Sequence, residues 1–408
     1  MDRLPRGVHP AGEDHRATPL ELFFDLVYVF ATTQIIGYLA HEHSVSGVVQ
    51  GLLMVALLWG TWSGYTWLGN HSRADRGPLR AGMVVAMAAM FVVALTIPEA
   101  WHDAPGGLRG PVVLVSAYLL VRWVHLAVYA VAATGDAGLR RQITVTWIPL
   151  LGSAGLLIGG ALAGGWVQLL LFTPALVVDW AGIYLTSRHG DWRLHSTTHL
   201  TERHGLFVIL ALGESVVAIG VGAAGRPISL SLVVVAVLGV GVAVCFWWLY
   251  FDVVATRAER RLAGAPGESR VRLAVEAYTY GHFPLIAGIL LAALGVEGVV
   301  AHAGESTPLG YFSASALFGG AAVYLAGHVL FQARMHRSLG VTRLVTTGVL
   351  LAAVPLVAAA PPIVGLIGLV TILAGLITVE ISRARGDGHD TDQDGGRRLP
   401  LPGGTALA

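Results

Sequence analysis

Polar and charged residues in this chain gather into short clusters, separated by apolar runs too long for strands. A membrane-spanning helix needs about 20 mostly apolar residues. Twelve segments meet that need: 20–39, 47–69, 81–98, 111–134, 144–163, 166–186, 203–222, 229–254, 272–294, 311–332, 341–360 and 362–381. Only Gly164 and Gly165 divide the fifth from the sixth, and only Pro361 and Pro362 divide the eleventh from the twelfth. Those two hairpins are the weakest divisions, and ten spans with re-entrant pieces is the competing reading. The pattern predicts an all-α, polytopic integral membrane helix bundle of about 12 transmembrane helices.

Composition sharpens this picture. Of 408 residues, 55% are hydrophobic and 12% charged, about half the charge of an average soluble protein. All 26 basic residues are arginine, which excludes lysine Schiff-base chemistry. A net charge of +1 offers no bulk attraction for nucleic acid. The single cysteine, Cys245, excludes an internal disulfide and a cysteine zinc cluster. Arginine placement is lopsided: 23 of the 26 lie in the termini and the even-numbered connections, while Arg109 and Arg226 lie in opposite loops and Arg122 within a span. By the positive-inside rule both termini face the cytoplasm, as expected of a multi-pass protein of the inner (plasma) membrane. The first apolar run lacks an A-x-A site and reads as an uncleaved span.

The expected organisation is a cytoplasmic N-terminal tail (1–19), a first transmembrane half (20–186), a cytoplasmic linker (187–202), a second half (203–381) and a disordered cytoplasmic tail (382–408). The halves carry related features. Trp62–Tyr65 with Arg73 and Arg76 downstream resembles Trp247–Tyr250 with Arg257 and Arg260, and His125 has a counterpart in His328. Six spans per half predicts an internal repeat of two parallel six-helix halves.

Ionisable residues within spans cost roughly 2.5–3.5 kcal/mol each on insertion scales, so each needs a reason. Thr18-Pro-Leu-Glu21 fits a capping box that excuses Glu21. Asp25, four residues on and flanked by Phe23, Phe24 and Tyr28, has no such excuse. Glu214 lies about 16 Å into the seventh apolar run, beside Gly213, which is expected to allow close helix approach. Arg122 and His125 share a face of the fourth span, and Arg122 is expected to pair with Glu214 or Asp25. Glu202 and Arg203 sit at the cytoplasmic edge with solvation as one explanation, as do Asp179, Asp252 and Glu276 near span ends. His282 and His328 read equally as hydrogen-bonded core histidines. Together these groups predict a polar cavity opening to the cytoplasm, with Asp25, Glu214 and His125 as proton-transfer or cation-binding candidates. Glu21, Phe24, Tyr28, Arg122, Glu202 and His282 are the candidate substrate-binding residues.

Several signals fail. There is no Walker loop, dinucleotide fingerprint, G-x-S-x-G elbow or aspartate-rich diphosphate motif. His195 and His199 have helical spacing without the glutamate of a zinc protease motif, so no metal and no cofactor is expected. Gly155-x-x-x-Gly159 and Gly160-x-x-x-Gly164 read as helix-packing surfaces.

The runs TPLELFFDLVYVFATTQ (18–34) and ERHGLFVILALGESVVAIG (202–220) resemble the two hallmark segments of the bacterial low temperature requirement protein A (LtrA) family. The hallmark positions fall on Glu21, Phe23, Phe24, Asp25, Glu202, Gly205, Gly213 and Glu214, with His204 where an aromatic residue is common. The resemblance covers roughly residues 15–385. It implies a link to growth in the cold but neither reaction nor substrate. Three functional readings follow. The first is a secondary transporter or carrier of a small solute, proton-coupled through buried carboxylates. The second is a membrane-embedded enzyme using a buried Asp or Glu as general acid on a lipid or isoprenoid, its cation stabilised by Phe23, Phe24, Trp123 or Tyr28. The third is a sensory or structural membrane protein. The expected partners are the lipid bilayer and a small molecule or lipid substrate, with no nucleic acid; the oligomeric state is left open.

Overall fold

A computed structural model describes residues 12–189, 192–336 and 338–395. Among the described residues there is no strand, and twelve helices are long and apolar enough to cross a membrane. They are α1 (Pro19–His41), α2 (Val45–His71), α3 (Gly77–Glu99), α4 (Gly110–Ala132), α5 (Ala137–Ala163), α6 (Gly165–Ser187), α7 (Thr197–Ala223), α8 (Leu230–Tyr250), α9 (Gly267–Ala301), α10 (Tyr311–His336), α11 (Val341–Ala358) and α12 (Pro362–Arg383). Both doubtful hairpins are pairs of separate helices. Gly164 and Gly165 turn the chain between α5 and α6 with φ of +68° and +55°, a conformation costly for any residue with a Cβ. At the other break, Leu309 and Gly310 donate backbone hydrogen bonds to the carbonyls of Ala360 and Ala358. The helical path of α12 runs on to Gly395, into the tail whose composition predicts disorder, and residues 396–408 lie outside the described ones.

Local chemistry fixes the helix starts. Thr18, Ser44, Asp136, Ser196 and Ser229 each accept a hydrogen bond from a first-turn amide, meeting one of the donors that every helix start leaves open. The connections gather at two ends. At the arginine-rich end, Asn70 closes α2 onto the connection before α7, and Arg193 pairs with Asp136 at 3.5 Å. At the opposite end Arg109 donates to the carbonyl of Leu162, and Arg226 to those of Ala301 and Ala303. The two arginines that break the charge asymmetry thus satisfy helix C-termini, where a cation is favoured.

Many neighbour pairs recur in both halves. α1 packs on α2 and α3, α3 on α4, α4 on α5, α5 on α6 and α2 on α6, and these pairs recur with six added to each number; among the described residues the α8–α9 and α9–α12 contacts have no such counterpart in the first half. α1 also touches α7 and α9, joining the halves. The tightest packing is between α9 and α10. A Cβ added at Gly295 would stand 2.3 Å from the backbone nitrogen of Leu317, and one at Gly320 2.4 Å from that of Ala292, so small residues let these backbones meet. The glycines singled out in the sequence contribute less. Gly160 packs on the Phe172 ring, whereas Gly155 and Gly213 have nothing within 4 Å of an added Cβ, so neither brings a helix close. Large apolar side chains such as Phe23, Ile148 and Leu356 point outward, as lipid-facing surfaces require.

Three helices are interrupted by wider π turns: Phe251–Ala255 after α8, Ala274–Tyr280 within α9 and Ser315–Gly319 within α10. In α9 the amide of Gly281 accordingly reaches back five residues to the carbonyl of Glu276. Such turns often mark functional positions.

Candidate functional site

The two hallmark segments meet where α1 crosses α7. Asp25 receives both terminal nitrogens of Arg203, at 2.5 and 2.8 Å, and the indole N–H of Trp62 at 2.8 Å. All three side chains are buried. Arg203 therefore is not a solvated edge residue: α7 begins at Thr197, six residues before the apolar run, and carries Arg203 into the bundle. One turn earlier Glu21 completes its capping box, with Oε2 accepting from the backbone N–H and hydroxyl of Thr18 at 2.8 and 2.9 Å. Its Oε1 lies 2.9 Å from His199 Nε2 and 3.8 Å from Arg203 Nε. Glu202, half-buried, accepts the amide of Ala17 at 3.1 Å, so a strap of N-terminal chain is tied along the start of α7. Phe24 and Tyr28 are buried here, with the Tyr28 hydroxyl donating to Thr61, but Phe23 is 59% exposed and Trp123 43%. These two face away from Asp25, which removes half of the aromatic set expected to stabilise a cation.

The ring nitrogens of His15 and His199 and the Glu21 carboxylate all lie within 4.8 Å of one another. His195 is not part of that group and packs on His71 instead. A metal-bound histidine normally donates its second ring N–H to an acceptor. Asn70 opposes this, because its oxygen accepts the amides of His195 and Ser196 and its NH2 therefore faces His199 Nδ1 at 3.4 Å. The arrangement suits a His199 N–H donated to Glu21 better than a ligand set.

Glu214 is buried on α7 with one hydrogen bond, from the Thr33 hydroxyl at 2.8 Å, and among the described residues it makes no ion pair. It is the eighteenth residue of α7, about 25 Å along the axis, so it lies past the middle, toward the end opposite the arginine-rich one. Glu297 of α9 stands within electrostatic reach of it.

Arg122 pairs with neither Glu214 nor Asp25. Its partner is Asp179 of α6, at 2.6 Å, with both side chains buried. Asp179 lies eight residues inside the end of α6 and is not an interface residue. Arg122 stands at a cavity of about 80 Å3 between α2, α4, α5, α6 and the π turn of α9. The walls are mainly aromatic, including Trp59, Trp67, Tyr129, Trp180, Trp192 and Tyr280, with Arg122 and His125 among the lining residues. The π turn supplies the floor: Thr279 accepts the indole N–H of Trp59 on its carbonyl at 2.6 Å and that of Trp67 on its hydroxyl at 3.0 Å. Three buried polar atoms of the lining residues have no hydrogen-bond partner: Arg122 Nε, His125 Nε2 and Trp180 Nε1. Asp179, which does not line the cavity, has an unmet Oδ2 as well. The absence of a Cβ at Gly60 makes the space. One placed there would lie 3.3 Å from Trp180 Nε1 and 4.0 Å from Asp179 Oδ2.

The remaining polar candidates form separate groups. His282 takes the Tyr250 hydroxyl at 2.9 Å and bonds the Ala277 carbonyl at 3.1 Å, so it is a satisfied core histidine. His328 is also buried, beside Tyr324 and Tyr250, with neither ring nitrogen bonded. Glu276 accepts from Tyr184 and Arg334, and Asp252 is exposed. The structure thus brings Glu21, Asp25 and Glu202 together, sets Arg122 and His125 at the cavity, and leaves Glu214 and His282 apart from both. Trp59, Trp67, Asp179, Trp180 and Thr279 were not legible as a set. The alternation of Trp59, Ser63 and Trp67 every four residues was the available signal, since it places them on one face of α2.

Comparison with known proteins gives a consistent result. The chain is 28% identical over 319 residues to an uncharacterized protein of Rhizobium meliloti (strain 1021), covering 75% of each chain. No solved structure matches. The description of the bacterial low temperature requirement A protein (LtrA) matches residues 16–378, a range that holds both hallmark segments and every helix of the cavity. The chain is a multi-pass membrane protein and belongs to the LtrA family.

Proposed function

We propose that this protein is a secondary carrier of a small solute in the inner membrane, with its termini in the cytoplasm and the cavity at Arg122 and His125 as the binding site. One observation carries the reading: an aromatic-walled cavity in which the lining residues Arg122, His125 and Trp180 each leave a buried polar atom unmet. Buried polar atoms are nearly always bonded, so an unmet set around a cavity is a ready ligand site. The cavity lies toward the arginine-rich end, the expected cytoplasmic side.

Glu214, paired with no cation and near Glu297, is the group that handles the coupling proton. Asp25 is committed to Arg203 and holds α1 to α7, where the two halves join. The parallel-repeat reading is supported by the recurring neighbour pairs and by matched ring contacts, Tyr65 with His125 at 5.1 Å and Tyr250 with His328 at 6.1 Å. A general-acid role for Asp25 has less support, since its oxygens are occupied by Arg203 and Trp62.

A carrier must open its site to each side in turn, whereas an enzyme or sensor with a fixed mouth need not. Cys245 is the one cysteine and is buried, so a Cys245→Ala, Ser63→Cys protein carries a single thiol in the cavity wall. Right-side-out and inverted vesicles are treated with a membrane-impermeant thiol reagent. Labelling from both faces is the expected result. Labelling from one face alone overturns the carrier reading.

A further inference from the structure

A groove that shares no residue with the Arg122 cavity opens at the arginine-rich end, between the start of α7 and the chain leaving α8. Its volume is about 370 Å3. One face of α7 forms a wall, with Thr198, Thr201 and Glu202 near the helix start and Gly205, Leu206 and Ile209 deeper in. The opposite wall runs the other way along the chain. Phe251 and Ala255 of the π turn come first, then Thr256 and Glu259 of the short helix Thr256–Ala263. Both walls therefore pass from polar to apolar in the same direction. A Cβ at Gly205 would meet the Phe251 ring at 3.4 Å, which sets the two apolar levels side by side. From Thr198 to Ile209 the groove follows about 16 Å of helix. Ile209 is 45% exposed, so the deep end opens sideways onto the lipid-facing surface.

An amphiphile with its head at the membrane surface and its chain in the bilayer fits that gradient, and the charges specify the head. The N-terminal strap brings Arg16 to the polar end, with Ala17 beside it tied to Glu202. Among the described residues Arg16 and Glu259 make no hydrogen bond or ion pair, and Glu202 uses only Oε2, on the Ala17 amide. The groove thus offers one cation and two carboxylates. Arg257, Arg260 and Arg261 of the short helix are not among its lining residues. A phosphate suits the guanidinium, and an ammonium with three N–H groups suits the carboxylates. An anionic head without an amine would bring like charge to Glu202 and Glu259. A trimethylated ammonium has no N–H to donate, and the lining holds one aromatic ring, Phe251, where quaternary ammonium sites use a cage of several.

We infer that this groove binds a phospholipid with an ethanolamine head from the leaflet at the arginine-rich end. Its phosphate rests on Arg16, its ammonium lies between Glu202 and Glu259, and its upper chain runs along Leu206, Ile209 and Phe251. The site is independent of the carrier reading.

The test uses the full-length protein in detergent, with bound lipid counted by native mass spectrometry. Dioleoyl phospholipids with ethanolamine, choline or glycerol heads are titrated in turn. The expected result is that the first ethanolamine lipid binds at least about tenfold tighter than either of the others, the weight of a charge-assisted hydrogen bond. Glu259→Gln should bring the ethanolamine lipid close to the choline level. Arg16→Gln should weaken the ethanolamine and choline lipids alike, about tenfold, because both carry the phosphate. Arg16 is exposed, so this variant serves if Glu259→Gln folds poorly. Equal binding of the three lipids, or tighter binding of the glycerol lipid, overturns the inference. An ethanolamine preference that neither variant changes overturns it as well, because the preference then arises outside this groove.

Discussion

Two buried arginine–aspartate pairs in this protein have opposite character. At the α1–α7 crossing, Arg203 grips Asp25 with two nitrogens, and Trp62 adds a third bond to the carboxylate. At the cavity wall, Arg122 shares one bond with Asp179, whose second oxygen is unmet; each arginine keeps an unmet Nε. Both pairs carry the same charges in the same apolar surroundings, so burial alone does not separate framework from site. What separates them is how the carboxylate is held. Asp25 has both oxygens bonded by its own protein and ties two helices together, whereas Asp179 keeps Oδ2 unmet and is held by one bond to an arginine that lines a cavity.

The comparison can be broken at its strongest point first. Arg203→Ala should cost about 3–5 kcal/mol, because it leaves Asp25 charged and alone in the core. Thermal unfolding of the purified protein measures this, and a double Asp25→Leu, Arg203→Met protein should regain most of the loss. Asp179→Ala should cost less, about 1–3 kcal/mol, since the freed Arg122 faces a cavity that water can enter. A double-mutant cycle on Arg122 and Asp179 should accordingly give a smaller coupling energy than one on Asp25 and Arg203. The reverse order would end the distinction between a closed and an open pair.

The smallest effect concerns the N-terminal strap. Burial, and next the nearby His199, hold His15 below the ordinary histidine value of 6.5. The folded state therefore binds this proton less well than the unfolded state does. The strap is fully stabilised above about pH 6.5 and loses that stabilisation as pH falls through the lower folded value. The exchange protection of the Ala17 amide, which is bonded to Glu202, should fall modestly on acidification relative to the intrinsic rate at each pH, and His15→Gln should remove that dependence.

The spans were legible because lipid imposes a length and a polarity that each segment must meet alone. The Glu21 cap was legible for a similar reason, as its partner Thr18 is three residues away. Partners far along the chain were not. Asp25 and Arg203 are 178 positions apart, and Arg122 and Asp179 are 57 apart, so spacing carries no trace of either pairing. Depth misled as well. Counting from the first apolar residue put Arg203 at the surface, but the polar turn from Thr197 to Glu202 is itself helical and moves the arginine inward. The cavity floor depends on a π turn in α9, and no hydrophobic period announces one.

The long separation of Asp25 and Arg203 also sets a schedule for biosynthesis. α1 leaves the ribosome carrying an aspartate whose counter-ion lies 178 residues downstream. At about 5–20 residues per second this is an interval of roughly 10–35 s. During that time the first helix is an insertion intermediate with an unmatched carboxylate, and the N-terminal half cannot take up its final packing until α7 is made.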